Sequence, residues 1–188
     1  MPSHVELREA ARRAMIEHGF VPDPPRDVLT EVSAAAPAGS SAQDLRALPW
    51  SSIDNDSSRD LDQLEVAERL PDGVIRVRVA IADVDAVVRK DSATDRFAGL
   101  NATSVYTGVA TFPMLPEKLS TDLTSLGQDA DRASIIIEFD VAKDGTVPRS
   151  TVYVGLVENH AKLAYGNVGA WLDGHGQLPA AATPAIQE

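Results

Sequence analysis

From Leu64 to Ile81 apolar and polar side chains alternate with a period of two. Leu64 and Val66 stand between polar or small neighbours. Pro71-Asp72-Gly73 then breaks the run, and Ile75, Val77, Val79 and Ile81 resume it against Arg76, Arg78 and Ala80. Strand side chains point to opposite faces in turn and a Pro-Asp-Gly step favours reversal, so the pattern predicts a β-hairpin. A second pair follows. Ile135, Ile136, Ile137 and Phe139 predict a buried strand, Lys143-Asp144-Gly145-Thr146 a turn, and residues 151–157 the return strand. Elsewhere the period lengthens. Ser3-His4-Val5-Glu6 has capping-box spacing, Leu7, Ala11, Ala14 and Met15 recur as on one helix face, and Gly19 supplies a stop. Shorter helices are predicted over 27–32 and 91–100, and Pro113 and Pro116 frame an irregular loop.

Residues 33–43 are mostly Ala, Ser, Gly and Pro, the composition of a flexible linker. The expected organisation is a helical appendage with its linker over 1–45, a folded domain over 46–173 and a flexible Gly/Ala/Pro-rich end over 174–188, with no terminal element closing the fold. The fold class is α/β in the mixed α+β sense: antiparallel hairpins with packed helices.

Composition narrows the classes of function. The 188 residues suit one domain, or one domain with a short appendage, and can bury a core. Cysteine is absent, which excludes a disulfide framework, a thiolate zinc site and a cysteine nucleophile. No apolar run has the length of a membrane span, and Glu6 and Glu9 interrupt any signal-peptide pattern, so the expectation is a cytoplasmic protein with no membrane partner. A net charge of −11 argues against a broad phosphate-binding surface, but not against a nuclease, whose metal-binding carboxylates are acidic by necessity.

Candidate chemistry concentrates in Ile53-Asp54-Asn55-Asp56-Ser57-Ser58-Arg59-Asp60-Leu61-Asp62-Gln63, just ahead of the first predicted strand. Crowded carboxylates repel one another unless a cation lies between them. If the strand's alternation continues upstream, Asp60 and Asp62 share the core face with Leu64 and Val66, a costly place for unpaired charge and a suitable one for a bound metal. Three readings stand. Asp54, Asp56, Ser58, Asp60, Asp62 and Glu65 fit the ligand spacing of an EF-hand calcium loop, although Arg59 replaces the turn glycine and Pro49 disrupts the entering helix. A magnesium site completed by water and phosphate oxygens fits the same carboxylates. An Asp/Ser-rich turn capping a strand needs no metal at all. His4, His18, His160 and His175 are scattered without ligand spacing, and Asp83 and Asp85 fit turn roles at a strand end.

The acidic run, Asp54 with Asp60-Leu61-Asp62, resembles the signature of the ribonuclease II family catalytic (RNB) domain. Collinear elements extend the resemblance over about residues 48–172: Ile81-Ala82-Asp83-Val84, Thr103-Ser104-Val105-Tyr106, Met114-Leu115-Pro116-Glu117, Ser125-Leu126, Asp131-Arg132 and Lys162-Leu163-Ala164-Tyr165. The resemblance implies a magnesium-dependent 3′-to-5′ exoribonuclease that hydrolyses single-stranded RNA to 5′-nucleoside monophosphates. It implies metal ligation by Asp54, Asp60 and Asp62, with Gln63 standing where the family has a fourth aspartate. Asp60, Asp62 and Tyr106 are the implied catalytic residues, and Tyr106 and Arg59 the candidate RNA contacts. Family enzymes continue well beyond this length, so the chain reads as the front portion of that domain, with the missing remainder as an expected partner. The competing expectation, raised by Gln63, is a catalytically weakened RNA-binding or regulatory relative.

Overall fold

A computed structural model describes residues 3–36 and 42–187. The helices are α1 (His4–Glu17), α2 (Arg26–Ala34), α3 (Ala93–Asn101), α4 (Tyr165–Leu172) and α5 (Pro184–Gln187). The strands are β1 (Gln43–Asp44), β2 (Ser51–Asp54), β3 (Gln63–Arg69), β4 (Ile75–Ala82), β5 (Val105–Tyr106), β6 (Thr111–Phe112), β7 (Asp131–Val141), β8 (Arg149–Glu158) and β9 (Ala161–Ala164). They fall into two compact units, residues 1–36 with 84–123 and residues 37–83 with 124–188. The mixed α+β class expected from the sequence is the one observed.

The first unit holds α1, α2, α3 and the β5–β6 hairpin. The Ser3–Glu6 capping box at the start of α1 is present in both directions. The segment expected to be an appendage contributes Val28 and Val32 of α2 to a buried cluster with Ala93 and Phe97 of α3, Leu115 and Leu119. Glu31 fastens the same two helices, accepting from the N–H groups of Ala93 and Thr94, each at 2.9 Å, and from the Thr94 hydroxyl at 2.8 Å. These donors would otherwise be unpaired in the first turn of α3, and they hold the Glu31 carboxyl down at about 2.

The second unit is a seven-stranded sheet in the order β1-β8-β7-β4-β3-β2-β9. Its interior pairs are antiparallel; β1 on β8 and β9 on β2, at the two edges, are parallel. Both hairpins form as the alternation predicts, with Gly73 (φ 78°) and Gly145 (φ 83°) in the left-handed region that their turns require. One face of the sheet packs Leu64, Ala80, Ile136 and Val157 around Trp50, whose indole N–H donates to the Leu45 carbonyl at 2.9 Å. Gly155 lies opposite Ser134 on that face, and a Cβ there would come within 2.6 Å of Ile136 Cγ1. The core therefore closes over the glycine.

Three expectations need correction. Of Ile135, Ile136, Ile137 and Phe139 only Ile136 is buried, because β7 shows its odd-numbered residues to the opposite face. On that face Val77, Val79, Ile81, Ile135, Ile137, Val152 and Val154 are none of them buried. The chain does not dissolve after Trp171: α5 follows, and Ala182 is buried with Ala161 and Leu163. Finally, the alternation of β3 does not reach Asp60 and Asp62. β3 starts at Gln63, and just upstream Leu61 is the residue turned into the core while Asp62 is exposed. Burying Leu61 gains more than keeping register would, since register would bury a carboxylate.

Candidate metal centre on the acidic segment

β2 ends at Asp54 and β3 begins at Gln63, so the acidic segment is a strand-to-strand connection at one end of the sheet. That geometry removes the EF-hand reading, which needs a helix on each side of the loop. Its twelfth position, Glu65, lies within β3, and its carboxyl is raised by burial while a hydrogen bond from Gln63 pulls the other way. Glu65 Oε2 is buried without a hydrogen-bond partner.

The segment is held by hydrogen bonds from distant parts of the same unit. Asp54 is the last residue of β2 and lies in register with Ala164 of β9. Beyond it Asn55 N–H donates to Asp54 Oδ1 at 2.6 Å, and Ser58 N–H closes a turn onto the Asn55 carbonyl at 3.0 Å. Lys162 Nζ donates to the Asp56 carbonyl at 2.8 Å. The buried Ser125 hydroxyl donates to the Arg59 carbonyl at 2.7 Å and accepts from Leu61 N–H at 3.0 Å. Leu126 N–H reaches the Leu61 carbonyl at 2.8 Å, and Ala82 N–H the Asp62 carbonyl at 2.9 Å. Behind these, Asn159 donates to the Leu126 carbonyl at 2.9 Å and to Ser52 Oγ at 3.0 Å. Arg132 Nε donates to the Ser125 carbonyl at 3.0 Å.

This scaffold gathers Asp54, Asp60 and Asp62 into one electrostatic neighbourhood. Asp62 keeps an exposed side, yet its carboxyl is raised, first by the protein displacing water around it and then by the negative charges of Asp60 and Asp54. Among the described residues no three acidic or imidazole groups stand close enough to form a ready-made metal cage. The donor set nonetheless fits magnesium chemically: hard carboxylate oxygens sharing a field that a cation would relieve, with room for the water and phosphate ligands that this ion retains. Gln63 follows directly, its side chain bonded to Glu65, and Arg59 is exposed within the same connection. Tyr106 belongs to the other compact unit, on β5 opposite Thr111, with its side chain 69% exposed.

Sequence reasoning gave no role to several residues that shape this site. Ser125 and Lys162 fall in motif segments, but nothing local marks them as braces for a loop far away in the chain. Asn159 has no signature either, since one Asn after an apolar strand reads as a turn. Tyr165, 57% exposed, comes one residue after the partner of Asp54 and was legible only as part of a motif.

Comparison with known proteins agrees with this geometry. The RNB domain family matches residues 42–187. Ribonuclease R of Vibrio parahaemolyticus is 38% identical over 143 residues, 76% of this chain and 17% of the relative. Exoribonuclease 2 of Salmonella paratyphi B is 36% identical over 163 residues, 86% of this chain and 25% of the relative. The chain thus spans a quarter or less of the length of these relatives. Among solved structures, Mycoplasma genitalium RNase R in complex with ribose methylated single-stranded RNA superposes with a TM-score of 0.84 at 25% identity, covering 92% of this chain and 27% of that one. A family match over most of the chain, on a sheet that carries the acidic signature at its strand ends, shows that this chain belongs to the RNB domain family.

Proposed function

We propose that this chain is the carboxylate-bearing portion of a magnesium-dependent 3′-to-5′ exoribonuclease that degrades single-stranded RNA to 5′-nucleoside monophosphates. The observation that carries the reading is the shared field of Asp54, Asp60 and Asp62 on a connection braced from outside. Asp54, Asp60 and Asp62 would hold the metal, with Gln63 a weaker, uncharged oxygen donor beside them. When bound, magnesium supplies polarisation of a phosphoryl oxygen and a lowered pKa for water. Asp62, between Asp60 and the first residue of β3, would direct one carboxylate oxygen toward the metal or its water. The exposed rings of Tyr106 and Tyr165 offer faces on which unstacked bases of a single strand can rest, and Arg59 offers a cation to its phosphates.

The remainder of the catalytic domain, from the same gene product or a separate chain, is the second partner of this reading. It is supported by the share of the relatives' length that the chain spans and by the unburied Val/Ile face of the sheet. No helix of the described residues is long and apolar enough to cross a membrane. The cytoplasm is the compartment that an RNA-degrading role would call for.

Gln63 favours a second reading, an RNA-binding relative that has given up catalysis. Turnover of a labelled single-stranded oligonucleotide against magnesium concentration separates the two in the complete gene product. Asp62→Asn is expected to collapse turnover while leaving RNA affinity nearly intact, and Gln63→Asp to lower the magnesium required. A flat response in the wild type and both variants selects the non-catalytic relative.

A further inference from the structure

We propose that Ser125 and Lys162 are positioning residues that brace the acidic segment from opposite arms and set the direction of its carboxylates. The inference rests on the metal-dependent reading above and extends it to side chains that bind neither metal nor RNA in it.

The Ser125 hydroxyl holds both peptide units flanking Asp60. It donates to the carbonyl on one side, that of Arg59, and accepts the N–H on the other, that of Leu61. One atom thereby fixes the two backbone torsions of Asp60 and hence the line along which its side chain leaves the chain. The next two peptide units are fixed as well, by Leu126 N–H on the Leu61 carbonyl and Ala82 N–H on the Asp62 carbonyl. Ser125 is 3% exposed, and its own carbonyl is held by Arg132, so the brace is itself rigid. On the other arm, Lys162 stands in β9 opposite Ser52 of β2, and its ammonium reaches forward to the Asp56 carbonyl rather than to a carboxylate. A cation site of few protein ligands depends on such outer contacts, because substrate and water cannot correct a carboxylate that points away.

The two braces can be tested by the sign of one measurement. Mn2+ serves as a paramagnetic stand-in for magnesium, titrated into the complete gene product and followed by electron paramagnetic resonance. Ser125→Ala is expected to weaken Mn2+ binding by about 10- to 100-fold and to raise the magnesium needed for turnover, with RNA affinity in a chelator unchanged. Lys162→Met is expected to weaken Mn2+ binding too, and Lys162→Arg to restore it. A lysine that merely lay near the acids would compete with a metal, so its removal would tighten binding instead. Unchanged or tighter Mn2+ binding in either folded variant, whatever its melting temperature, overturns the proposal. If Ser125→Ala does not fold, the sign for Lys162→Met decides alone. A wild type that takes up no Mn2+ overturns the metal reading itself, and the proposal with it. Mn2+ uptake by the wild type with indifferent variants overturns the proposal alone.

Discussion

Asn159 is the most exacting test of how the sheet unit is held together. Its side chain is 1% exposed and joins three segments: Nδ2 donates to Ser52 Oγ at 3.0 Å and to the Leu126 carbonyl at 2.9 Å, and Oδ1 accepts from Ala161 N–H at 3.1 Å. Asn159→Ala strands the Ala161 N–H at a residue with no exposed surface, leaves the Leu126 carbonyl short of a donor, and opens a small void. One buried unpaired donor costs about 1–3 kcal/mol, and the void and carbonyl bring the expected loss to about 2–4 kcal/mol. That is a large share of the 5–15 kcal/mol or so that ordinarily holds a domain folded. Urea denaturation followed by tryptophan fluorescence reports it directly, since Trp50 is fully buried in the adjoining core. The midpoint should fall with the slope unchanged. Asn159→Asp adds a control of opposite sign. It keeps the acceptor for Ala161 but turns a charged oxygen toward the Leu126 carbonyl, so burial raises its folded pKa above the unfolded one. Its deficit should therefore shrink as pH falls and the carboxyl regains a proton to donate. A loss for Asn159→Ala below about 1 kcal/mol would refute the argument that these three bonds carry the junction.

Two further outcomes follow from the packing and the charges. Gly155→Ala brings a Cβ to 2.6 Å from Ile136 Cγ1 and 3.0 Å from Leu45 Cδ1, so we expect a loss of about 1–3 kcal/mol; an unshifted thermal melt would show that the core has slack there. Glu31, lowered from 4.5 to about 2 by the amides of α3, should stabilise its unit fully above pH 4.5 and cease to do so as pH falls toward 2; Glu31→Gln should remove that part of the acid dependence, and identical acid titrations would refute the assignment.

The hairpins were legible because everything that makes them is local. Ile75, Val77, Val79 and Ile81 alternate, and Gly73 supplies the turn conformation next to them. The capping box of α1 is equally local. The acidic signature was legible as a motif, and the structure places Asp54, Asp60 and Asp62 in one field. What the sequence hid is non-local. The parallel pairings of β1 with β8 and β9 with β2 leave no mark in the sequence, because β1, β2 and β9 are only two to four residues long and show no period. The upstream extension of the β3 alternation failed for an energetic reason: Leu61 wins the core position that Asp62 would have held in register. The bracing roles of Ser125, Asn159 and Lys162 were not legible because a brace is defined by what it reaches, and each makes a contact across at least 60 residues of chain.

The parallel contact between β2 and β9 also sets a clock. Asp54 meets Ala164 across the sheet, and every brace of the acidic segment described here except Ala82 comes from beyond residue 124. During synthesis the aspartates therefore leave the ribosome well before all of these braces except Ala82. At about 5–20 residues per second the interval to Ala164 is on the order of 5–20 s. Through that interval the segment is a run of like charges in water, with no fixed geometry to offer a cation. On the proposed metal reading, a cation site that forms only when β9 docks on β2 has nothing to hold an ion in a shorter nascent chain, and its appearance would report that this parallel pairing has formed.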